Sequence, residues 1–386
     1  MSRRVVFVYA DGYSINFHQT ALVRALSRRA SDWQCFNVSR WFRGEITRAE
    51  IVEAARTADA LVLHSSVFSW RYDRAFSEAT YYVAGPVAPP DYSEFVDTLL
   101  NVSTPRVWLA DNLDLHGDFE SLGFRTEQFQ ALAWFYFPNR FTARRDMDER
   151  FVDPWMSQFR MPEEGYRRLL KIPVQIENAF CLDNSEFSPP ARSKLWGVTI
   201  PGVSYTRRKV ARDGQSKVQR LTQPYVLARI VRRLAAAQYR TTGWRLPNRW
   251  SIDFGRTLHH AIIARSQAAY TEGSAYDYPV RKFIEIPAQR TLLMCTPHPG
   301  FEDRGFREGE THLEVAPEDV TRSVRTFDFG STAVRTIVQQ GFDMVRRLHH
   351  ADARADQLIG AIDLFAAGRL KAACFEGGEY TYRTHA

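Results

Sequence analysis

Cysteine is scarce: four residues in 386, at Cys35, Cys181, Cys295 and Cys374, with no C-x-x-C pair and no zinc-like spacing. That scatter excludes a disulfide framework and predicts buried, reduced thiols of the kind a cytoplasmic protein carries. No run of about 18 apolar residues occurs, which excludes a transmembrane helix. The opening "MSRRVVFVYADGYS" lacks the longer apolar core and small-residue cleavage site of a signal peptide, and reads as a first strand. Internal repeats and low-complexity segments are missing. No RNP, zinc-finger or basic-zipper signature accompanies the net charge of +7, and the arginines are dispersed along the chain. The excess therefore points away from nucleic acid and toward phosphate-bearing small molecules or an anionic membrane surface. No Asp-x-Asp pair stands in an obvious metal loop.

What is present is enough for two cores. A chain of 386 residues, 45% hydrophobic, suits two domains of roughly 150–200 residues each. In the first half "RRVVFVYA", "ADALVLHSS" and "TPRVWLADNLD" read as strands. "HQTALVRALSRRA" has helical period, with Leu22, Ala25 and Leu26 on one side. Strands alternating with helices predict a parallel sheet, whose ligands lie at the strand C-terminal ends. Here those ends carry Asp11–Gly12, His64–Ser65–Ser66 and Asp111–Asn112. The pattern degrades after Trp134 and restarts near Lys171, placing one domain at 1–170, a second at 171–350, and a helical tail at 351–386 that returns toward the first. In the second half "KIPVQIENAF", "LWGVTIPGV", "SQAAYT", "TLLMCT" and "THLEVAP" read as strands. "PYVLARIVRRLAAAQY", "RKFIEIPA" and "PEDVTRSVRTF" read as helices, and the segment from Ser331 onward is helical almost throughout.

One stretch, "YPVRKFIEIPAQRTLLMCTPHPGFEDRGFREGE", concentrates candidate chemistry. Arg281 and Glu285 are spaced i,i+4 and share a helix face. A surface ion pair worth a few tenths of a kcal/mol accounts for that spacing. So does a ligand site, with Arg281 and Lys282 receiving a phosphate at the helix N-terminus and Glu285 accepting hydrogen bonds from a ribose diol.

The order of motifs resembles the C-terminal domain of GT-B glycosyltransferases, in particular the CgeB-like, spore-maturation-type group. The carriers are the cation-x-Phe-Glu helix motif, filled by Lys282, Phe283, Ile284 and Glu285 with Ile284 in the Phe place and Arg281 as a second cation, the strand "TLLM", the loop ending in Gly309–Glu310, and "PEDVTRSV". A tail follows with Arg335, Gly341, Val345, His349, Arg354 and Leu358 in the expected order, and "LDNSEFSPP…LWGVTIPGVSYTRRK" stands upstream. The resemblance covers about Lys171 to Leu364; the first half matches only in its alternation. In one place the sequence departs: Gln289–Arg290 occupies a turn where such enzymes carry a small residue, often glycine.

The resemblance implies an α/β protein of GT-B type, two Rossmann-like βαβ domains facing across a cleft with a C-terminal helical tail. It implies sugar transfer from a nucleotide-sugar donor to a hydroxyl of a carbohydrate or lipid-linked acceptor. No cofactor or metal is expected. Donor-binding residues would be Arg207, Arg208 and Lys209 in "SYTRRK", otherwise a basic surface turn, with Tyr278, Arg281, Lys282 and Glu285. The "TPHPG" loop with His298 and Gly300 would touch substrate. The base would be Asp11, with His18 close by, or Asp111, with His64 a third candidate; each acid also suits a loop cap. The expected location is cytoplasmic, at the inner face of an anionic membrane through peripheral association, with no nucleic-acid partner. Two other activities stay open: a sugar-nucleotide epimerase or hydrolase on the same fold, and a non-catalytic binding protein.

Overall fold

The computed structural model describes residues 3–10, 17–69, 89–110, 126–134, 169, 171–189, 193–201, 211, 257–272, 280–297 and 300–385. In chain order the principal elements are β1 (Val5–Tyr9), α1 (Phe17–Arg29), β2 (Gln34–Asn37), α2 (Arg48–Arg56), β3 (Ala60–His64), α3 (Tyr92–Leu100), β4 (Arg106–Leu109), β5 (Ala131–Trp134), β6 (Val174–Glu177) and β7 (Trp196–Thr199). There follow α4 (residues 257–264), β8 (Ser266–Thr271), α5 (Lys282–Ala288), β9 (Leu292–Cys295), β10 (Leu313–Glu314), α6 (Val320–Thr326), α7 (Thr332–Leu348), α8 (Ala351–Ala366), β11 (Leu370–Glu376) and β12 (Glu379–Thr384).

The chain divides into two compact units. The first comprises Met1–Cys181, Ala351–Phe375 and Tyr380–Ala386, and the second Leu182–His350 with Glu376–Glu379. In the first unit eight strands run in the order β12-β11-β6-β5-β4-β3-β1-β2. The pairings from β2 through β11 are parallel. Such strands are covered on both faces and read as near-continuous apolar runs, as Val5–Val8 and Ala60–Leu63 do, all at 0% exposure. The order reverses between β1 and β3, so the carboxyl ends of those two strands form the crevice where doubly wound sheets take ligands.

Helix α1 buries the side foreseen for it: Leu22, Ala25 and Leu26 join one core cluster with Ala355, Leu358 and Ile362 of α8. Exposed pairs, Arg28 with Asp352 and Arg29 with Asp356, follow the same helix pair. Exposed ion pairs contribute little, so the apolar stripe holds α8 in this unit.

Two segments differ from the sequence-based expectation. Val174–Glu177, read as the restart of a second domain, is the sixth strand of the first sheet, pairing with β5 and β11. The boundary between units accordingly falls at Cys181 and Leu182. Four residues carry no mark of which sheet they will join; that depends on pairing with β11, some 200 positions away. The C-terminal segment is also not helical throughout. Gly368 takes φ 64° just past α8, the left-handed position glycine fills after a helix. Strands β11 and β12 follow, joined by Gly377–Gly378 at φ 58° and 89°, a two-residue link of positive-φ glycines. Arg354, fully buried, lies 4.2 Å over the Phe375 ring, and the Glu177 carboxylate accepts the Phe375 amide at 3.0 Å.

The second unit carries the sheet β10-β9-β8-β7, parallel throughout. Its core gathers Val198, Ala268, Tyr270, Leu292 and Met294 with Val334 and Ile337 of α7. Ser331 caps α7 by accepting the Val334 amide at 3.2 Å. Gly341 presses that helix against a loop so closely that a Cβ there would meet the Thr311 carbonyl oxygen at 2.7 Å. The helix expected at "PYVLARIVRRLAAAQY" lies outside the described residues. Cys35, Cys181, Cys295 and Cys374 form no disulfide; all but the partly buried Cys35 are buried. Burial pushes the Cys35 thiol up to about 11 and holds Cys295 well above its ordinary value, which keeps both in the unreactive thiol form.

Candidate functional site

Helix α5 begins beyond the carboxyl end of β8, where a parallel sheet presents its ligand-facing edge. Arg281, the residue before α5, and Glu285 in its first turn are 6% and 7% exposed. The expected i,i+4 pair forms, but inside the protein. Arg281 donates through one terminal nitrogen to Glu285 Oε1 at 2.5 Å and through the other to Glu186 Oε1 at 2.5 Å. Glu186 comes from a 3-10 turn, Asn184–Glu186. There Asp183 and Glu186 form a capping box, Glu186 Oε2 accepting the Asp183 amide at 2.9 Å. Gln289 fastens the same turn from the end of α5: its amide nitrogen donates to the Glu186 carbonyl, and its amide oxygen accepts the Ser188 hydroxyl.

Two histidines of α4 complete the cluster, with His259 Nε2 at 3.6 Å from Glu285 Oε2 and His260 Nε2 at 3.7 Å from Glu285 Oε1. Burial alone would raise the Glu285 carboxyl. The Arg281 charge and the imidazoles close to both oxygens outweigh it and hold the group well below the usual carboxylate range. Burial moves His259 the other way, lowering it despite the opposing pull of Glu285. The arrangement is a buried carboxyl–guanidinium–carboxyl bridge flanked by imidazoles. It does not leave Arg281 as a surface cation: two carboxylates already take its terminal nitrogens.

Arg290 resolves the departure noted at the Gln289–Arg290 turn. It has φ 50°, the one positive-φ non-glycine residue among those described, so the backbone makes the left-handed turn that a glycine would make there. Its guanidinium sits 3.6 Å over the Phe342 ring and donates to Gln339 at 2.7 Å, both on α7. Cation–π contact and hydrogen bonding offset the strain of that turn, and the side chain is engaged internally.

At the crevice of the first unit, Ser66 Oγ accepts the Ala10 amide at 2.9 Å and lies 2.7 Å from His64 Nδ1, which also accepts the Ser66 amide at 3.1 Å. The Ser66 hydroxyl, already an acceptor, donates its proton to Nδ1. That nitrogen is thereby committed, and burial lowers the imidazole to about 3. His64 is a neutral structural residue linking β1 to β3 and does not serve as a base at neutral pH.

Of the other sequence-designated residues, Lys282 lies in α5, partly buried, and Gly300 turns with φ 79°. His18 lies on α1, and its side chain is outside what is described. Asp11, Asp111, Arg207, Arg208, Lys209, Tyr278 and His298 fall outside the described residues. The tail residues Gly341, Val345, His349, Arg354 and Leu358 are packing positions: the last four are 0–1% exposed, and His349 Nε2 donates to the Arg304 carbonyl at 3.1 Å. Sequence reasoning missed Glu186, His259 and His260. The D-x-x-E capping spacing of Asp183–Glu186 was visible; its meeting with Arg281, 95 positions on, was not.

Beside the cluster's sheet, at the carboxyl ends of β9 and β10, lies a cavity of about 540 Å³ lined by Thr296, Pro297 and residues 314–318. No family profile matches the sequence, and no curated protein matches it either. Similar chain courses occur among solved structures, these three among them. Anabaena HepE in complex with UDP-glucose has 8% identity and a TM-score of 0.43, with 93% of this chain and 99% of that chain covered. The sucrose-phosphate synthase from Thermosynechococcus elongatus has 14% identity and a TM-score of 0.49, covering 95% and 100%. A glycosyltransferase from Rickettsia africae has 11% identity and a TM-score of 0.46, covering 95% and 99%.

Proposed function

We propose that the protein is a glycosyltransferase that moves a sugar from a nucleotide-sugar donor to a hydroxyl acceptor, carbohydrate or lipid-linked, in the synthesis of a bacterial surface polysaccharide or glycoconjugate. The observation that carries this reading is one of placement. The cation-x-x-Glu helix, the "TLLM" strand, the Gly309–Glu310 loop and the helix of "PEDVTRSV" fall on successive elements of a single parallel α/β unit. The cavity of about 540 Å³ opens at the carboxyl edge of its strands, a volume within the range of small-ligand sites. Open parallel sheets take ligands at this edge.

In this reading the donor diphosphate meets Arg207, Arg208 and Lys209, whose charges oppose the negative charge that grows as the glycosidic bond breaks. No metal takes part in that step. Glu285, kept ionised, offers acceptor oxygens to the ribose diol. Arg281 positions Glu285 and Glu186 in place of the phosphate contact that the sequence suggested. Asp11, assisted by His18, or Asp111 removes the acceptor proton, and the "TPHPG" loop with His298 and Gly300 borders the sugar. The net positive charge favours work at the inner face of an anionic membrane.

The test is thermal stabilisation by UDP, GDP, CMP and ADP, since a ligand bound by the native state alone raises Tm. Turnover of the matching nucleotide sugar then follows, with and without acceptors. Transfer requires the acceptor for more than slow hydrolysis; consumption of donor alone would indicate an epimerase or hydrolase. A nucleotide that binds without any turnover would indicate a binding protein.

A further inference from the structure

A second cluster, independent of the transfer reading, lies in the loop between β9 and β10. His312 is 1% exposed, and its ring packs edge-on against Phe301 and Phe306, with centroids 5.5 and 6.2 Å away. The Nδ1 edge faces the Thr311 hydroxyl at 3.4 Å. The opposite nitrogen, Nε2, is buried and has no hydrogen-bond partner among the described residues. It points between two carboxylates, 3.8 Å from Glu308 Oε2 and 3.8 Å from Glu314 Oε1. The three ligand atoms lie within 4.8 Å of one another.

An orphaned imidazole nitrogen facing two acids is unfavourable as it stands. Neither acid is within hydrogen-bond reach of Nε2, which stands 3.8 Å from both. With Nδ1 turned to the Thr311 hydroxyl, two partly exposed carboxylates converge on a buried nitrogen that no protein group satisfies among the described residues. A cation satisfies all three groups at once.

We propose that Glu308, His312 and Glu314 bind a divalent first-row transition cation of the zinc or manganese kind. One imidazole with two carboxylates suits such ions. Metal–ligand bonds of about 2.0–2.2 Å span an N-to-O separation of this size at an open ligand angle. The two acids are partly exposed, so water reaches the remaining coordination positions. The site closes a short loop. Glu308 Oε2 accepts the Glu314 amide at 2.5 Å, the Gly309 amide donates to the His312 carbonyl at 2.9 Å, and Gly309 takes φ 74°. Because Glu314 also lines the cavity of about 540 Å³, the cation fixes one wall of it.

The experiment is calorimetric titration of chelator-treated full-length protein with ZnCl₂ and, separately, MnCl₂. Wild type and a Glu308→Gln/Glu314→Gln variant are compared, with manganese EPR as a second readout. Both substitutions are at partly exposed positions and relieve like-charge crowding, so the variant keeps the fold; its metal-free Tm checks this. One equivalent is expected to bind to wild type, and the variant should bind it at least tenfold more weakly, the minimum seen even for loss of outer-shell partners. Zinc or manganese should raise Tm in wild type only. The proposal is overturned if wild type takes up no metal at millimolar concentration, or if the variant binds as wild type does, which would place the ion at other histidines.

Discussion

Replacing Arg281 by alanine removes the one cation that bridges Glu186 and Glu285. Their side chains are 4% and 9% exposed, against 6% for Arg281, so water cannot take over. Removing one partner from a buried ion pair costs about 3–5 kcal/mol, because the desolvated charge left behind has no compensation. Here two such charges remain, partly relieved by His259 and His260 beside Glu285. For a unit of this size each kcal/mol lowers Tm by about 2–4 °C, so the second unit's transition should fall by roughly 6–20 °C. Differential scanning calorimetry and urea unfolding of Arg281→Ala measure this. A triple change, Arg281→Met with Glu186→Gln and Glu285→Gln, removes all the charges together and should recover most of the loss, since neutral replacements of a buried bridge are often tolerated. The reasoning fails if Arg281→Ala melts within about 1 °C of wild type while losing nucleotide affinity. The guanidinium would then serve a ligand phosphate, and the bridge would be incidental.

Glu285→Gln keeps shape and leaves Arg281 paired with Glu186; it should weaken nucleotide binding by about 1–3 kcal/mol, measured by calorimetric titration, whereas unchanged affinity would confine Glu285 to structure. Gly341→Ala drives a Cβ to 2.7 Å from the Thr311 carbonyl oxygen and should cost about 1–3 kcal/mol in urea unfolding. His64 has a folded pKa of about 3 against an ordinary 6.5. Between those values the unfolded chain holds the proton and the folded protein does not, so stability rises with pH across the window and falls on acidification, by up to about 1.4 kcal/mol per pH unit. Glu285, lowered from its own ordinary value, adds loss in the same direction below about pH 4.5. His64→Asn, which keeps an acceptor near the Nδ1 position, should flatten the Tm profile between pH 6.5 and 4 relative to wild type; parallel profiles would contradict the assignment.

The local patterns that one element determines by itself were readable. The stripe Leu22, Ala25, Leu26 is on the buried side of α1, Val5–Val8 form a central strand, and Arg281 and Glu285 share a face as their spacing requires. What escaped depends on distant partners. Val174–Glu177 joins the first sheet because β11 pairs with it, and "LKAACFE" reads as part of a tail until that pairing is seen. The i,i+4 spacing carries no sign of burial, and it took Glu186 and two histidines of α4 to turn a surface pair into a buried bridge. The Arg290 turn shows the same limit: the departure from a small residue was legible, while the Phe342 ring that holds the guanidinium comes from a helix far along the chain.

The central claim, transfer of a sugar from a nucleotide donor, is tested most directly by release of the nucleotide from a panel of UDP-, GDP- and ADP-linked sugars, which free the diphosphate, and CMP-linked sugars, which free CMP. Each is assayed with and without a mixed set of carbohydrate and lipid-linked hydroxyl acceptors. The account predicts that one donor raises Tm and is consumed at an appreciable rate only when an acceptor is present, with the sugar recovered on that acceptor. Equal consumption with and without acceptor, or no stabilisation by any nucleotide, would contradict it.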